Sequence, residues 1–257
     1  KTLLTKEEQK KVCVFQAPTG SGKTTTLYAV LKAVDSPDKN IVTVEDPVEF
    51  QLNGINQVTA KPESGLSFAT ALRSILRQDP NIIMIGEIRD YETVDIAIKS
   101  ALTGHLVLST LHTTTAPGAI VRLVNMGVEP YLINSSVVCV VAQRLVRKIC
   151  SYCKESFILK EDVLKSLKLN LDIIKDPQFF RGKGCSNCFN LGYSGRVGII
   201  EVLMMSMTIR DLILSRAQEH IIKQQARAEG MKTLRESGIE LVFKGVTSIE
   251  EILRVTA

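Results

Sequence analysis

The sequence predicts an α/β fold with a mainly parallel sheet, and three features predict it. Strand-like and helix-like segments alternate from about Val12 to Ala142, the pattern that covers a parallel sheet with helices. Two strand segments, "NIIMIGE" and "HLVLSTLHT", are close to unbroken apolar runs, as expected of strands buried on both faces. The polar motifs fall at the ends of the strand segments, where open parallel sheets place their ligands.

Taken in order, Val12 to Gln16 reads as a short strand. Thr24 to Val34 reads as a helix, with Leu27, Val30, Leu31 and Val34 at helical spacing. "SPDKN" is a loop, and "IVTVEDP" a second strand closed by Pro47. "LSFATALRSILRQD" places Phe68, Leu72, Ile75 and Leu76 on one helical face and is ended by Pro80. The strand "NIIMIGE" follows, then the helix "YETVDIAIKSALTG" with Gly104 just past its end, then the strand "HLVLSTLHT" and a helix starting near Pro117. After Cys188 the pattern changes. "GRVGIIEVLMM" reads as one more strand, and "TIRDLILSRA", "EHIIKQQARAE", "TLRESGIELVFKG" and "SIEEILRVT" as helices; Ser248-Ile-Glu-Glu251 matches a capping box. The expected organisation is a core over 1–145, a cysteine-bearing module over 146–192, and a helical region over 193–257 packed on the core.

Composition bounds the function. With 257 residues and 45% apolar content, the chain has ample material for a core. Its net charge of +5 is dispersed, which favours a solvated surface over a nucleic-acid or lipid footprint. No apolar run approaches the roughly 18 residues of a membrane span. The chain begins at Lys1 rather than Met and reads as a fragment, so the lack of a signal peptide is weak support for a cytosolic home.

The segment Ala17-Pro-Thr-Gly20-Ser-Gly22-Lys23-Thr24 matches the P-loop pattern G-x-x-x-x-G-K-[ST] except at its first position. It lies between a strand and a helix, the context such a loop requires. The loop from Pro18 and Thr19 through Gly20, Ser21 and Gly22 to Thr25 would cradle phosphates with the backbone N–H groups of its residues after Pro18, helped by the positive end of the helix. Lys23 would reach the β/γ-phosphates, and Thr24 would offer its hydroxyl to Mg²⁺. At Ala17 a negative φ would cost little and a positive one roughly 1–2 kcal/mol; neither removes a phosphate ligand.

"NIIMIGEIRD" has the form of a Walker B strand ending at Glu87, with Gly86 where many P-loop enzymes carry Asp. A carboxylate here can hold a Mg²⁺-bound water or polarise the attacking one. "TVEDPVEF" supplies Glu45, Asp46 and Glu49 as handlers of metal or water, or as partners of arginines. His112 is a candidate γ-phosphate sensor, a structural histidine being the other reading.

Cysteine spacing points to metal. Cys150-Ser-Tyr-Cys153 and Cys185-Ser-Asn-Cys188 form a C-x₂-C-x₃₁-C-x₂-C pattern, and Cys13 and Cys139 stand apart in apolar surroundings. Four thiolates suit a closed, structural zinc site. "EDVLKSLKLNLDIIKD" reads as a short helical insert looping out between the pairs.

Together these motifs resemble the secretion-ATPase superfamily, specifically the assembly ATPases of type II secretion and type IV pili. "APTGSGKTTTLY", "TVEDPVEF", "RQDPNIIMIGEIRD", "TGHLVLSTLHT", "AQRLVRKICSYC" and "GYSGRVGIIEVL" carry the resemblance, which covers essentially the whole chain. It implies a RecA-like P-loop NTPase core that hydrolyses ATP with Mg²⁺. Lys23 and Thr24 take nucleotide and metal, Glu87 is the Walker B glutamate, Glu45 the Asp-box acid, and His105 and His112 the His-box pair. It also implies a homo-hexamer, peripheral at the cytoplasmic face of a bacterial inner membrane, working on a platform protein and a cytoplasmic linker protein, with no nucleic acid. The tetracysteine module belongs to the assembly branch rather than the retraction branch. Family members carry a further domain before the P-loop, where this chain has about sixteen residues. Two other classes are weighed. A zinc-bearing nucleic-acid-binding protein calls for a basic groove or stacking platforms, and aromatics are only 5%. A nucleotide-binding adaptor without catalysis is motivated by Ala17.

Overall fold

The computed structural model describes residues 11–16, 20–158 and 178–256. Among them are nine strands: β1 (Val12–Gln16), β2 (Ile41–Glu45), β3 (Asn56–Thr59), β4 (Ile82–Ile85), β5 (Leu106–Leu111), β6 (Val137–Ile149), β7 (Lys154–Phe157), β8 (Phe179–Gly182) and β9 (Tyr193–Met204). Contacts divide the chain into two compact units, Lys1–Gln143 with Glu201–Met231, and Arg144–Ile200 with Lys232–Ala257. Residues 193–257 are thereby shared between the two.

The first unit is built on a sheet of order β3-β2-β4-β5-β1-β6-β9. β1 runs parallel to β5 and β6, β2 parallel to β3 and β4, and β4 parallel to β5. Every residue of β2, β4 and β5 is buried, which is why those segments are so apolar in sequence. The register sets Gln16 beside Leu111, Val44 beside Ile85 and Ile85 beside Ser109. The carboxyl ends of β1, β2, β4 and β5 therefore open on one edge.

The helices of this unit are α1 (Lys23–Val34), α2 (Phe68–Ile75), α3 (Tyr91–Leu102), α4 (Ala116–Asn125), α5 (Pro130–Ser136), α6 (Met207–Leu214) and α7 (Glu219–Ala228). Ser67, Asp90, Thr115 and Ser206 cap α2, α3, α4 and α6, each accepting a backbone N–H with its side chain. Leu27 and Leu31 of α1 pack on Ile41, Met84 and Leu108 of the sheet; burying each such side chain contributes about 1.5–3 kcal/mol. α2 is shorter than its periodicity predicts. It gives way to a 3₁₀ turn over Leu76–Gln78, and Asp79 takes φ 50° before Pro80.

In the second unit β7 and β8 pair antiparallel, Lys154 opposite Gly182 and Phe157 opposite Phe179. Phe179 is buried between Phe157 and Phe243, with ring centroids 6.5 and 6.0 Å away. Phe243 ends α8 (Leu234–Phe243), which starts on a Thr233/Glu236 capping box. α9 (Ile249–Thr256) carries only half of the box expected at Ser248. The Ser248 hydroxyl accepts from the Glu251 N–H at 3.3 Å, but the Glu251 carboxylate goes to Arg147 (2.8 Å) and Arg254 (2.7 Å). The Arg147 backbone N–H also donates to it at 2.9 Å, so this carboxylate is taken up by Arg147 and Arg254, whose charge-assisted bonds are the strong ones. The "EDVLKSLKLNLDIIKD" segment lies outside the described residues. No helix among the described residues is long and apolar enough to cross a membrane.

Candidate active site and tetracysteine centre

β1 delivers the chain to the glycine-rich loop and α1 carries it away. Ala17, Pro18 and Thr19 lie outside the described residues. Gly20 and Gly22 take φ +76° and +80°, a backbone state glycine enters at no steric cost. Gly22 is the N-cap of α1 and offers no side-chain oxygen, and the first turn holds no acid. The first-turn N–H groups of α1, with their partial positive charge, thus have no side-chain cap from Gly22 and no acid in their own turn. Lys23 opens the helix, Thr24 is half-buried and Thr25 exposed.

The loop is held by a residue the sequence reading did not single out. Gln143, buried on β6, donates from Nε2 to the Ser21 carbonyl at 2.8 Å. Its Oε1 accepts from the Thr26 hydroxyl at 2.9 Å. One amide side chain thereby grips the loop just before Gly22 and the helix just after Thr24. The available signal was a lone amide ending the apolar run "VVCVVAQ".

At the end of β4, Gly86 is tightly packed against β2. A Cβ there would lie 3.2 Å from both Glu45 Cα and the Val44 carbonyl, so a larger residue would need β2 to give by a few tenths of an ångström. The acid that follows it is Glu87. Glu87 Oε1 accepts from Arg89 at 2.6 Å, and Oε2 lies 3.1 Å from His112 Nε2. Arg89 also faces Asp46 at 3.6 Å. The Arg89 hydrogen bond holds the Glu87 carboxyl below the usual range; burial opposes this, and the charges of Arg89 and His112 reinforce it. Partial burial lowers the Lys23 ammonium, and the negative charge of Glu87 pulls it back. Lys23, Glu87, Arg89, Asp46 and His112 thus form one electrostatic cluster on the open edge of the sheet.

Glu45 and His105 are placed elsewhere. Glu45 is buried: its Oε2 accepts from Tyr28 at 2.5 Å, and its Oε1 from Thr43 at 2.6 Å and Gln57 at 3.2 Å. That carboxylate ties α1 to β2 and β3, while its neighbour Asp46 is the acid that meets Arg89. The His105 ring bonds the Ser100 carbonyl at 2.8 Å and the Thr103 hydroxyl at 3.2 Å, closing the end of α3. β5 lies between His105 and His112, so the two stand roughly 20 Å apart. Arg77 sits in the turn feeding the far end of β4, and Arg73 pairs with Glu92.

In the second unit Cys150, Cys153, Cys185 and Cys188 bring their sulfurs within 4.8 Å of one another. The separations of 3.9 Å (Cys150–Cys185), 3.8 Å (Cys153–Cys188) and 3.7 Å (Cys185–Cys188) match the edges of a tetrahedral sulfur site. A Zn–S bond of about 2.3 Å puts tetrahedral sulfurs about 3.8 Å apart. Backbone N–H groups of Gly184, Cys185 and Gly192 point at Cys153 and Cys188 sulfurs, each at 3.3 Å, which favours thiolates. All six cysteines are free thiols. Cys13 and Cys139 face each other across β1 and β6 instead, in a buried thiol–thiol contact of 2.7 Å.

The profile of the Type II/IV secretion system protein family matches residues 3–254. The chain is 47% identical over 245 residues to the type IV pilus assembly ATPase PilB of Thermus thermophilus, covering 95% of this chain and 28% of that protein. It is 47% identical over 245 residues to the type II secretion system protein E of Pseudomonas aeruginosa, covering 95% of this chain and 48% of that protein. The crystal structure of the pilus retraction motor PilT with bound ADP superimposes with a TM-score of 0.68 at 27% identity, over 95% of this chain and 61% of that one. The chain spans between about a quarter and a half of the length of these curated relatives.

Proposed function

Because the chain belongs to the Type II/IV secretion system protein family, we propose that it is the ATP-hydrolysing part of a motor for type II secretion or type IV pilus assembly. The observation that carries this reading is the ionised Glu87 carboxylate, standing in the charge field of Lys23 at the sheet edge where α1 begins. The names of the curated relatives and the sheet order around β1 support a RecA-like core.

In this proposal the Gly20–Thr25 backbone and the start of α1 bind the phosphates, with Lys23 aimed at the β/γ-phosphates. Gln143 keeps that loop in shape. Glu87 orients the attacking water and takes up its proton, Arg89 keeps Glu87 ionised and aimed, and His112 sits on its other oxygen to sense the γ-phosphate. Glu45 acts from within, fixing α1 against β2 through Tyr28. Thr24, and Glu87 through water, would hold Mg²⁺, which would supply neutralising charge for the phosphates. The four sulfurs would hold one zinc ion as a closed structural site. The functional division proposed is a core over 1–145, a tetracysteine module over 146–192 and a helical region over 193–257. In the cell the chain would act within a homo-hexamer, peripheral to the bacterial inner membrane on its cytoplasmic side. There it would engage a platform protein and a cytoplasmic linker protein, without nucleic acid.

ATP turnover and binding measured together test this. Glu87→Gln should keep ATP binding and lose turnover, because an amide cannot accept the proton of the attacking water. Turnover that survives this change, or binding that survives Lys23→Ala undiminished, would defeat the proposal. A chain that binds ATP and never turns it over would be an adaptor instead.

A further inference from the structure

The two cysteine knuckles end in side chains that a folded domain ordinarily hides. Tyr152 is 78% exposed, Phe189 87% and Leu191 66%. Phe189 and Asn190 take φ 50° and 60°, so a bulky aromatic is held out to solvent on a left-handed turn, which L-residues enter at a cost of roughly 1–2 kcal/mol. The three share one end of the second unit. The Cys150 N–H donates to the Gly192 carbonyl at 3.0 Å, and the Lys183 N–H to the Cys153 carbonyl at 3.0 Å. The clustered sulfurs pin both knuckles together.

The segments that carry these tips are one-sided in charge, although Arg181 is paired with Glu155 at 2.9 Å. Residues 144–158 and 178–200 hold seven arginines and lysines against a single acid, Glu155. The intervening residues 159–177 carry four charges of each sign, and so do residues 232–256. Lys148, Lys154, Arg181, Lys183 and Arg196 are exposed. Exposed aromatic and aliphatic tips on segments rich in exposed cations match the boundary of an anionic bilayer. There rings and alkyl groups sit at headgroup depth, and ammonium and guanidinium groups meet phosphates. Single-stranded nucleic acid would need stacking faces along a groove; here the tips project from tight turns, and Leu191 has no ring.

We propose that the tetracysteine module is a membrane-contacting foot, which sets Tyr152, Phe189 and Leu191 into the headgroup region of an anionic bilayer while its exposed lysines and arginines bind lipid phosphates. The inference is independent of the ATPase reading, since it uses none of the residues around Glu87.

The chain has no tryptophan, so Phe189→Trp installs a single reporter. Its emission should shift to the blue with vesicles containing about one-third phosphatidylglycerol, should be quenched by brominated acyl chains, and should stay unchanged with pure phosphatidylcholine. Replacing Tyr152, Phe189 and Leu191 together by Ser should weaken co-sedimentation with the anionic vesicles at least about tenfold. Metal content and ATP binding should not change. Lys148→Glu with Lys183→Glu should weaken it about fivefold or more per charge, and this pair decides the matter if the serine variant loses its fold. Absence of a blue shift with anionic vesicles, or vesicle binding unchanged in the charge-reversed pair, would overturn the proposal. A shift produced by single-stranded DNA and not by vesicles would replace it with the nucleic-acid reading.

Discussion

Replacing Gln143 by Leu removes the grip on the phosphate-binding loop while nearly preserving side-chain volume. Two hydrogen bonds go, to the Ser21 carbonyl at 2.8 Å and from the Thr26 hydroxyl at 2.9 Å. Each such bond contributes about 0.5–1.5 kcal/mol, and a buried carbonyl left without a donor costs about 1–3 kcal/mol. The expected destabilisation is therefore about 2–4 kcal/mol, a fall of roughly 5–15 °C in the Tm of the unit that carries the loop. That transition is identified as the one that ATP raises, because a ligand stabilises what it binds in the native state. ATP affinity should fall roughly tenfold if about 1.4 kcal/mol is needed to re-order the loop on binding. Gln143→Glu should weaken ATP binding further still, since a carboxylate cannot donate to the Ser21 carbonyl and sets a negative charge near the phosphates. A stability change below about 0.5 kcal/mol with unaltered affinity would refute the anchoring role of Gln143.

Three other expectations follow from the geometry. Arg89→Ala should move the acid limb of the turnover profile to higher pH, because Glu87 is held below its usual range first by the Arg89 hydrogen bond; an unmoved limb would show that Arg89 does not tune Glu87. Burial pushes the Glu251 carboxyl up, but the hydrogen bonds from Arg254 and Arg147 outweigh it and hold the group at about 2 against an ordinary 4.5. A depressed folded value contributes stability fully present above the unfolded value and lost as pH falls through the folded one. The second unit should thus lose about 3 kcal/mol between roughly pH 4.5 and pH 2, and Glu251→Gln should flatten that part of the stability curve. Elemental analysis should give about one zinc per chain, and Cys185→Ser should abolish it and loosen the β7–β8 hairpin while leaving ATP binding intact.

Local chemistry made the frame legible before any coordinates. Strands buried on both faces must be apolar throughout, so β4 and β5 announced themselves as "NIIMI" and "LVLSTL". The short elements escaped. β3 has four residues, none fully buried, too brief and too mixed for a period to register, and the β7–β8 hairpin is held by partners on either side of a long insertion.

Sequence alone determined which residue types the site would contain: glycines where φ must be positive, a lysine at the start of α1, an acid after an apolar strand, and four cysteines in two close pairs. Those are decided by backbone sterics and ligand chemistry within a few residues. Only the tertiary structure decided which of the candidates meet. Strand register carried His112 to Glu87 and left His105 at the other end of β5. Packing set Gly86 tightly against β2 and held Glu45 inside, on Tyr28 and Thr43, while Asp46 faced Arg89. Gln143 became the support of a loop more than a hundred residues before it. Contacts between segments so distant along the chain are set by how strands stack and which way their side chains alternate, and no local pattern of residues records that.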